Sequence, residues 1–94
     1  MIIRPQADEY PGFDQTYVPR VPDGADVLDV LRSQPDQLRA MLQNTWDSEA
    51  SKRPRHDEWS IKEVIGHIAD TERVFAYRCL RIARGDTTPL PGFD

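Results

Sequence analysis

The sequence is poor in the residues that make covalent and metal frameworks. Cys79 is the only cysteine, so no intramolecular disulfide and no multi-cysteine zinc site can form. Histidine occurs twice, at His56 and His67, which is one short of the three protein ligands a usable metal site needs. No apolar run approaches the ~20 residues of a membrane span, and Met1-Ile2-Ile3 is too short for a signal-peptide core. These features predict a cytoplasmic chain with no membrane partner. An excess of positive charge is missing too. Twelve Lys and Arg against 16 Asp and Glu leave a net charge of -4, the wrong sign for general nucleic-acid binding. With 94 residues the chain is one domain or less, and a separate cofactor domain is excluded. A chain of this size buries only about 60–65% of its unfolded surface, so its stability is marginal unless something helps.

Proline is what the first stretch has in quantity. Residues 1–24 hold Pro5, Pro11, Pro19 and Pro22 with Gly12 and Gly24, which rules out a long helix or a central strand. The expectation is an extended arm, pinned to a packed surface by Tyr10, Phe13, Tyr17 and Val18. A first helix is expected over residues 26–45, with Asp26 as its N-cap and Asp29 in the positive first turn. Val27, Leu28, Val30, Leu31, Leu38, Met41 and Leu42 make one apolar stripe, which Trp46 closes. Pro35 inside this pattern predicts a kink or a split near Ser33. Residues 47–58, polar and holding Pro54, read as a solvated connection.

The second helix, expected over residues 60–84, carries the clearest start signal. Ser60 and Glu63 have the spacing of a capping box, and Trp59 and Val64 that of a hydrophobic staple. Gly85 can take the left-handed conformation that ends a helix, and Arg78, Arg81 and Arg84 complement the dipole at that end. Residues 85–94 read as a turn-rich tail. At 100° per residue Ile61, Val64, Ile65, Ile68, Phe75, Cys79 and Ile82 share one arc, expected to face a core. Cys79 therefore reads as core filler. Glu72 lies at the centre of that arc, where a carboxylate needs a partner. Arg32 or Arg39 could supply it, or the stripe could face a polar cavity. His67 lies on the flank of the arc. It is either a boundary histidine bonded to a carbonyl or a metal ligand, since neutral imidazole binds zinc, nickel and iron. Glu63, Asp70 and Arg81 lie further toward solvent.

From Trp59 the chain reads WSIKEVIGHIADTERVFAYRCLRIARGDTTPLPGFD. This segment resembles the DinB/YfiT-like superfamily, whose second helix opens with Trp-Ser, Glu-Val and a His followed by an acidic pair. Here these are Trp59, Ser60, Glu63, Val64, His67, Asp70 and Glu72. The resemblance implies an all-α fold, with the two-helix hairpin and its arm forming half of a DinB-like four-helix bundle. It implies that His67 is one of three histidine ligands to a divalent metal (Zn, Ni or Fe), with Glu63, Asp70 and Glu72 as neighbours. The other two ligands and two further helices would then lie beyond Asp94. Thiol S-transferase or hydrolase chemistry on an unspecified small molecule is what the resemblance implies for a full-length form, and no catalysis for this chain. Two amphipathic helices cannot cover each other's apolar stripes, so a homodimer completing the bundle is the alternative expectation, as an interaction module without metal.

Overall fold

A computed structural model describes residues 1–93 of the chain. Every regular element among them is helical: α1 is Val27–Leu42, α2 is Asp47–Ala50 and α3 is Ile61–Ala83, preceded by 3-10 turns at Gly12–Thr16 and Val18–Arg20. The chain divides into two compact units, Met1–Asn44 and Thr45–Asp94.

In the first unit the arm is held by its backbone and by one arginine, where the sequence suggested aromatics. Ile2 donates its amide to Asp26 Oδ1 at 3.1 Å, and its carbonyl accepts from the Val27 amide at 2.6 Å. Arg4 donates to the carbonyls of Val21 at 2.8 Å and Pro19 at 3.3 Å. Phe13 and Tyr17 stay exposed, while Tyr10 and Val18 are half-buried. The prolines break the arm into short turns because each removes an amide donor, and what remains can close only local 3-10 bonds.

Asp26 caps α1 by accepting from the Leu28 amide at 3.1 Å, which satisfies one of the free donors of the first turn. Pro35 does not split the helix, which runs unbroken through it. Proline leaves the Leu31 carbonyl without a donor, but no residue of α1 is buried, so water can take the missing bond. The neighbouring turn is tied by Ser33 Oγ donating to the Val30 carbonyl at 2.8 Å and Gln37 Nε2 donating to Ser33 Oγ at 3.0 Å. The helix stops at Leu42, short of the expected 45, before a turn at Gln43 and Asn44.

In the second unit, the expected connection over 47–58 begins with one turn of helix. Trp46 has extended backbone and N-caps α2, so it does not close the α1 stripe; its side chain is 78% exposed. Asp47 and Glu49 place negative charge in the first turn, where the free amides favour it. Lys62 Nζ pairs with Asp47 Oδ1 at 2.7 Å, tying the start of α2 to the start of α3.

Both halves of the capping box are formed at α3. The Glu63 amide donates to Ser60 Oγ at 3.2 Å, and the Ser60 amide donates to a Glu63 carboxylate oxygen at 3.3 Å. Ser60 is 2% exposed. At the far end Gly85 has φ of 70° and closes the helix in the left-handed region. The tail then folds back along α3. Arg78 donates to the Pro91 carbonyl at 2.7 Å, and its guanidinium lies 5.8 Å from the Phe75 ring centre and 5.2 Å from that of Phe93. Arg81 donates to Asp86 at 2.8 Å and to the Thr88 carbonyl at 3.2 Å. The arginine cluster thus holds the tail as well as complementing the dipole. The last residue of the expected tail, Asp94, lies outside the described residues.

No hydrophobic side chain is buried among the described residues. The stripe of α3 faces no core: Val64, Ile68, Phe75 and Ile82 are all exposed. Cys79 is exposed as well and fills no core. The tail lies along the adjacent flank, where Arg78 and Arg81 hydrogen-bond to it and Val74 lines a groove with Leu90, Pro91 and Phe93, and Val64, Ile68, Phe75 and Ile82 stay exposed.

Candidate functional site

The chemistry-bearing residues gather in the first three turns of α3. The capping box sets where the helix begins, and the 3.6-residue period then sets where each later side chain projects. Glu63 is the most constrained of them. Besides the Ser60 amide it receives both ends of Arg53, at 2.8 Å from Nε to Oε1 and 2.6 Å from Nη2 to Oε2, a bidentate fork matched to the carboxylate. The Arg53 hydrogen bonds, with help from Ser60, hold the Glu63 carboxyl well below the usual range, at about 2. The same pairing raises the Arg53 guanidinium. Glu63 is half-buried, nearer to structure than the solvent-facing position expected of it.

A depressed folded-state pKa means the group stabilises the fold fully above its unfolded value and loses that contribution as pH falls through the folded one. For Glu63 the window runs from 4.5 down to about 2. Asp86, bonded by Arg81 and by the Thr88 amide, is also lowered to about 2 from 3.8. Both ends of α3 are therefore expected to loosen over the same acid range. Far-UV circular dichroism against pH checks this: helicity should fall between pH 4.5 and about 2, and Glu63→Gln with Asp86→Asn should flatten that limb. An unchanged limb in the double variant would refute the assignment.

His67 is exposed, one turn beyond Glu63. Its ring meets the ring of Trp59 edge to face, with centres 5.1 Å apart and planes at 64°, a favoured geometry for aromatic pairs. Trp59 thus has a neighbour beyond the staple position that sequence spacing suggested. Asp70 pairs with Arg73 at 3.1 Å on its own helix. Glu72 is exposed. The arginines proposed for it bond nearer acids instead, Arg32 to Asp29 at 2.6 Å and Arg39 to Asp36 at 2.8 Å. A partner three residues away on the same helix needs no tertiary contact, and an exposed carboxylate needs no partner at all. Thr71, one turn past His67, buries its hydroxyl without a hydrogen-bond partner.

Of the four candidates on α3, then, Glu63 is committed to the helix start and Asp70 to Arg73. His67 and Glu72 are left facing outward. Among the described residues no three His, Cys, Asp or Glu side chains converge as a metal site. The residues present supply a single imidazole and do not by themselves fit a metal ion. Arg53 went unrecognised in the sequence: ten residues before Glu63 in a polar loop, it carries no periodic signal that would reveal the fork.

Among the described residues the protein is an all-helical chain. The family model of the DinB superfamily matches residues 30–94, more than half of the chain, and the chain belongs to that superfamily. It matches no curated protein and no solved structure. No helix among the described residues is long and apolar enough to cross a membrane.

Proposed function

We propose that the chain is a helical part of a DinB-like metal-binding domain, in which His67 contributes one imidazole to a divalent cation (Zn, Ni or Fe). The observation that carries this reading is the state of His67 itself. It is exposed, its ring is flanked by Trp59, and the acidic residues on either side of it, Glu63 and Asp70, are engaged with Arg53 and Arg73. A histidine serving only as a boundary hydrogen-bond donor would have a carbonyl partner, whereas the exposed His67 ring has the Trp59 ring as its described neighbour. The unpaired Thr71 hydroxyl on the next turn supports the reading further. A buried hydroxyl without a partner destabilises by about 1–3 kcal/mol, and a polar group brought by a completed domain would relieve it. The remaining ligands come from residues outside these 94. Thiol S-transfer or hydrolysis belongs to that completed assembly, and the 94-residue chain alone is expected to turn over no substrate.

Because one imidazole cannot retain an ion by itself, the test is metal binding by the domain with its remaining ligands supplied, measured by isothermal titration with Zn(II), Ni(II) and Fe(II) and by metal analysis after dialysis, against His67→Ala. The expected result is loss of binding in His67→Ala with an unchanged circular dichroism spectrum. Equal metal content in the two proteins would dispose of the ligand role. A second reading, an interaction module without metal, is favoured by a separate observation: the absence of any buried hydrophobic side chain among the described residues.

A further inference from the structure

Asp23 is followed by Gly24, and no other aspartate in the chain precedes a glycine; the single asparagine, Asn44, precedes Thr45. The pair occupies the two middle positions of a tight turn, closed by the Ala25 amide donating to the Pro22 carbonyl at 3.2 Å. Both residues are exposed, the Asp23 side chain at 89%. Gly24 has φ of 73°, a conformation that glycine takes without cost. A Cβ placed on it would meet nothing within 4 Å. The main-chain nitrogen that follows the Asp23 carboxyl is thus unscreened by a side chain of its own residue, and the space beside its Cα is open.

The other aspartates lack this combination. Asp29, Asp36, Asp47 and Asp70 lie within helices, where a hydrogen-bonded backbone cannot swing the following nitrogen onto the carboxyl carbon. Asp8, Asp14 and Asp57 precede Glu9, Gln15 and Glu58, whose side chains hinder the approach. Asp26 accepts the Ile2 and Leu28 amides, and the nitrogen after it, that of Val27, donates to the Ile2 carbonyl. Asp86 is held by Arg81 and the Thr88 amide. Asp23 has a looser tether, Arg4 Nη2 at 3.6 Å from its Oδ1.

We infer that Asp23-Gly24 is a site of spontaneous backbone modification, at which the aspartyl link rearranges to an isoaspartyl link and disturbs the entry to α1. The Gly24 nitrogen attacks Cγ of Asp23; an N–C bond forms, and the carboxyl hydroxyl leaves as water with the amide proton. Water then opens the five-membered imide. Addition at Cγ restores aspartate. Addition at the main-chain carbonyl breaks its bond to the Gly24 nitrogen and leaves the chain running through Cβ and Cγ. Nothing is oxidised or reduced, and the water lost is regained, so the product has the mass of the starting chain. The extra main-chain carbon lies three residues before Asp26, whose Oδ1 joins the arm to the helix through the Ile2 and Leu28 amides. A lengthened turn no longer delivers Asp26 to that position. The site lies in the first unit, and the inference is independent of the metal reading.

The test keeps the full chain warm at neutral pH. Samples are read by electron-transfer fragmentation in a mass spectrometer and by a protease that cuts before aspartate but not before isoaspartate. Isoaspartate should accumulate at residue 23 ahead of every other aspartate, with a transient species lighter by one water. Asp23→Glu keeps the charge toward Arg4 but would need a six-membered imide, and should form none. Arg4→Ala should speed conversion by up to about fivefold, the equivalent of the ~1 kcal/mol upper value of an exposed ion pair. In the converted chain, amide exchange at Leu28 should rise by about fivefold, the equivalent of a lost N-cap of ~1 kcal/mol. No isoaspartate at residue 23, or isoaspartate arising there no faster than elsewhere, overturns the inference. An unchanged rate in Arg4→Ala overturns the role of Arg4 as the restraint, and unchanged Leu28 exchange after conversion overturns the coupling to α1.

Discussion

Replacing Pro35 with alanine is expected to stabilise α1 by about 2–3 kcal/mol. Proline in a helix interior is about 3 kcal/mol worse than alanine, through the lost amide donor and the clash of its ring with the carbonyl four residues back. Pro35 is the ninth residue of α1, well inside the helix and beyond the first turn where its missing amide would do no harm. Part of the gain is returned because proline also restricts the unfolded chain, an offset of about 0.4–1 kcal/mol. Pro35→Ala should restore the amide bond to the Leu31 carbonyl and raise the midpoint of urea unfolding. A midpoint equal to that of the wild type would mean that α1 bends at Pro35 enough to make the lost bond irrelevant. Ser33 and Gln37, whose side chains tie the turn around Pro35, provide a control. In the wild type Ser33→Ala should be mildly destabilising, and in Pro35→Ala the same change should matter less.

The second large effect is at the other long helix. Ser60→Ala removes the acceptor of the Glu63 amide, and a lost N-cap destabilises by roughly 1–2 kcal/mol. The upper part of that range applies here for two reasons. Ser60 is the one buried residue among those described, at 2% exposed, so water has little access to replace its hydroxyl. Glu63, moreover, is shared between the cap and Arg53, so loosening one bond loosens the other. The prediction is a drop in α3 stability, read from thermal unfolding or from amide exchange of the Ile61–Val64 turn, with Ser60→Thr or Ser60→Asp restoring most of it. If Ser60→Ala unfolds at the wild-type temperature, α3 is held by its packing and by the tail contacts of Arg78 and Arg81 and not by its start.

These two sites also show how far local chemistry can be read ahead of structure. Asp26, Ser60, Glu63 and Gly85 occupy the terminal positions their side chains and backbone preferences dictate. Capping involves residues two or three apart, so its partners are visible in the sequence itself. Pro35 shows the limit of the same reasoning. Its local penalty is real, but a helix with no buried residue, exposed around Pro35, can absorb it. The turn of helix at Asp47–Ala50 was not legible because four polar residues carry no period. At the candidate site, His67 was legible from its place in the Trp-Ser-to-acid pattern. Its Trp59 neighbour, the Arg53 fork on Glu63 and the outward Glu72 were not. The first two depend on how the loop before α3 returns to the helix, and the third on which face of α3 is left uncovered.

The sequence by itself determined the helical class, the starts of both long helices, the end of α3, the apolar stripe of α3 and the family, because these follow from interactions within a turn or from the order of residues along one helix. Only the tertiary structure decided that the arm is held through Ile2 and Arg4, that Arg53 clasps Glu63, and that the tail lies over the flank at Arg78 and Arg81 and leaves the stripe open. Periodicity tells which side chains share a face of a helix. Which face is covered is settled by competition among guanidinium, carbonyl and aromatic contacts from residues distant in the chain, and that competition has no counterpart in the spacing of residues.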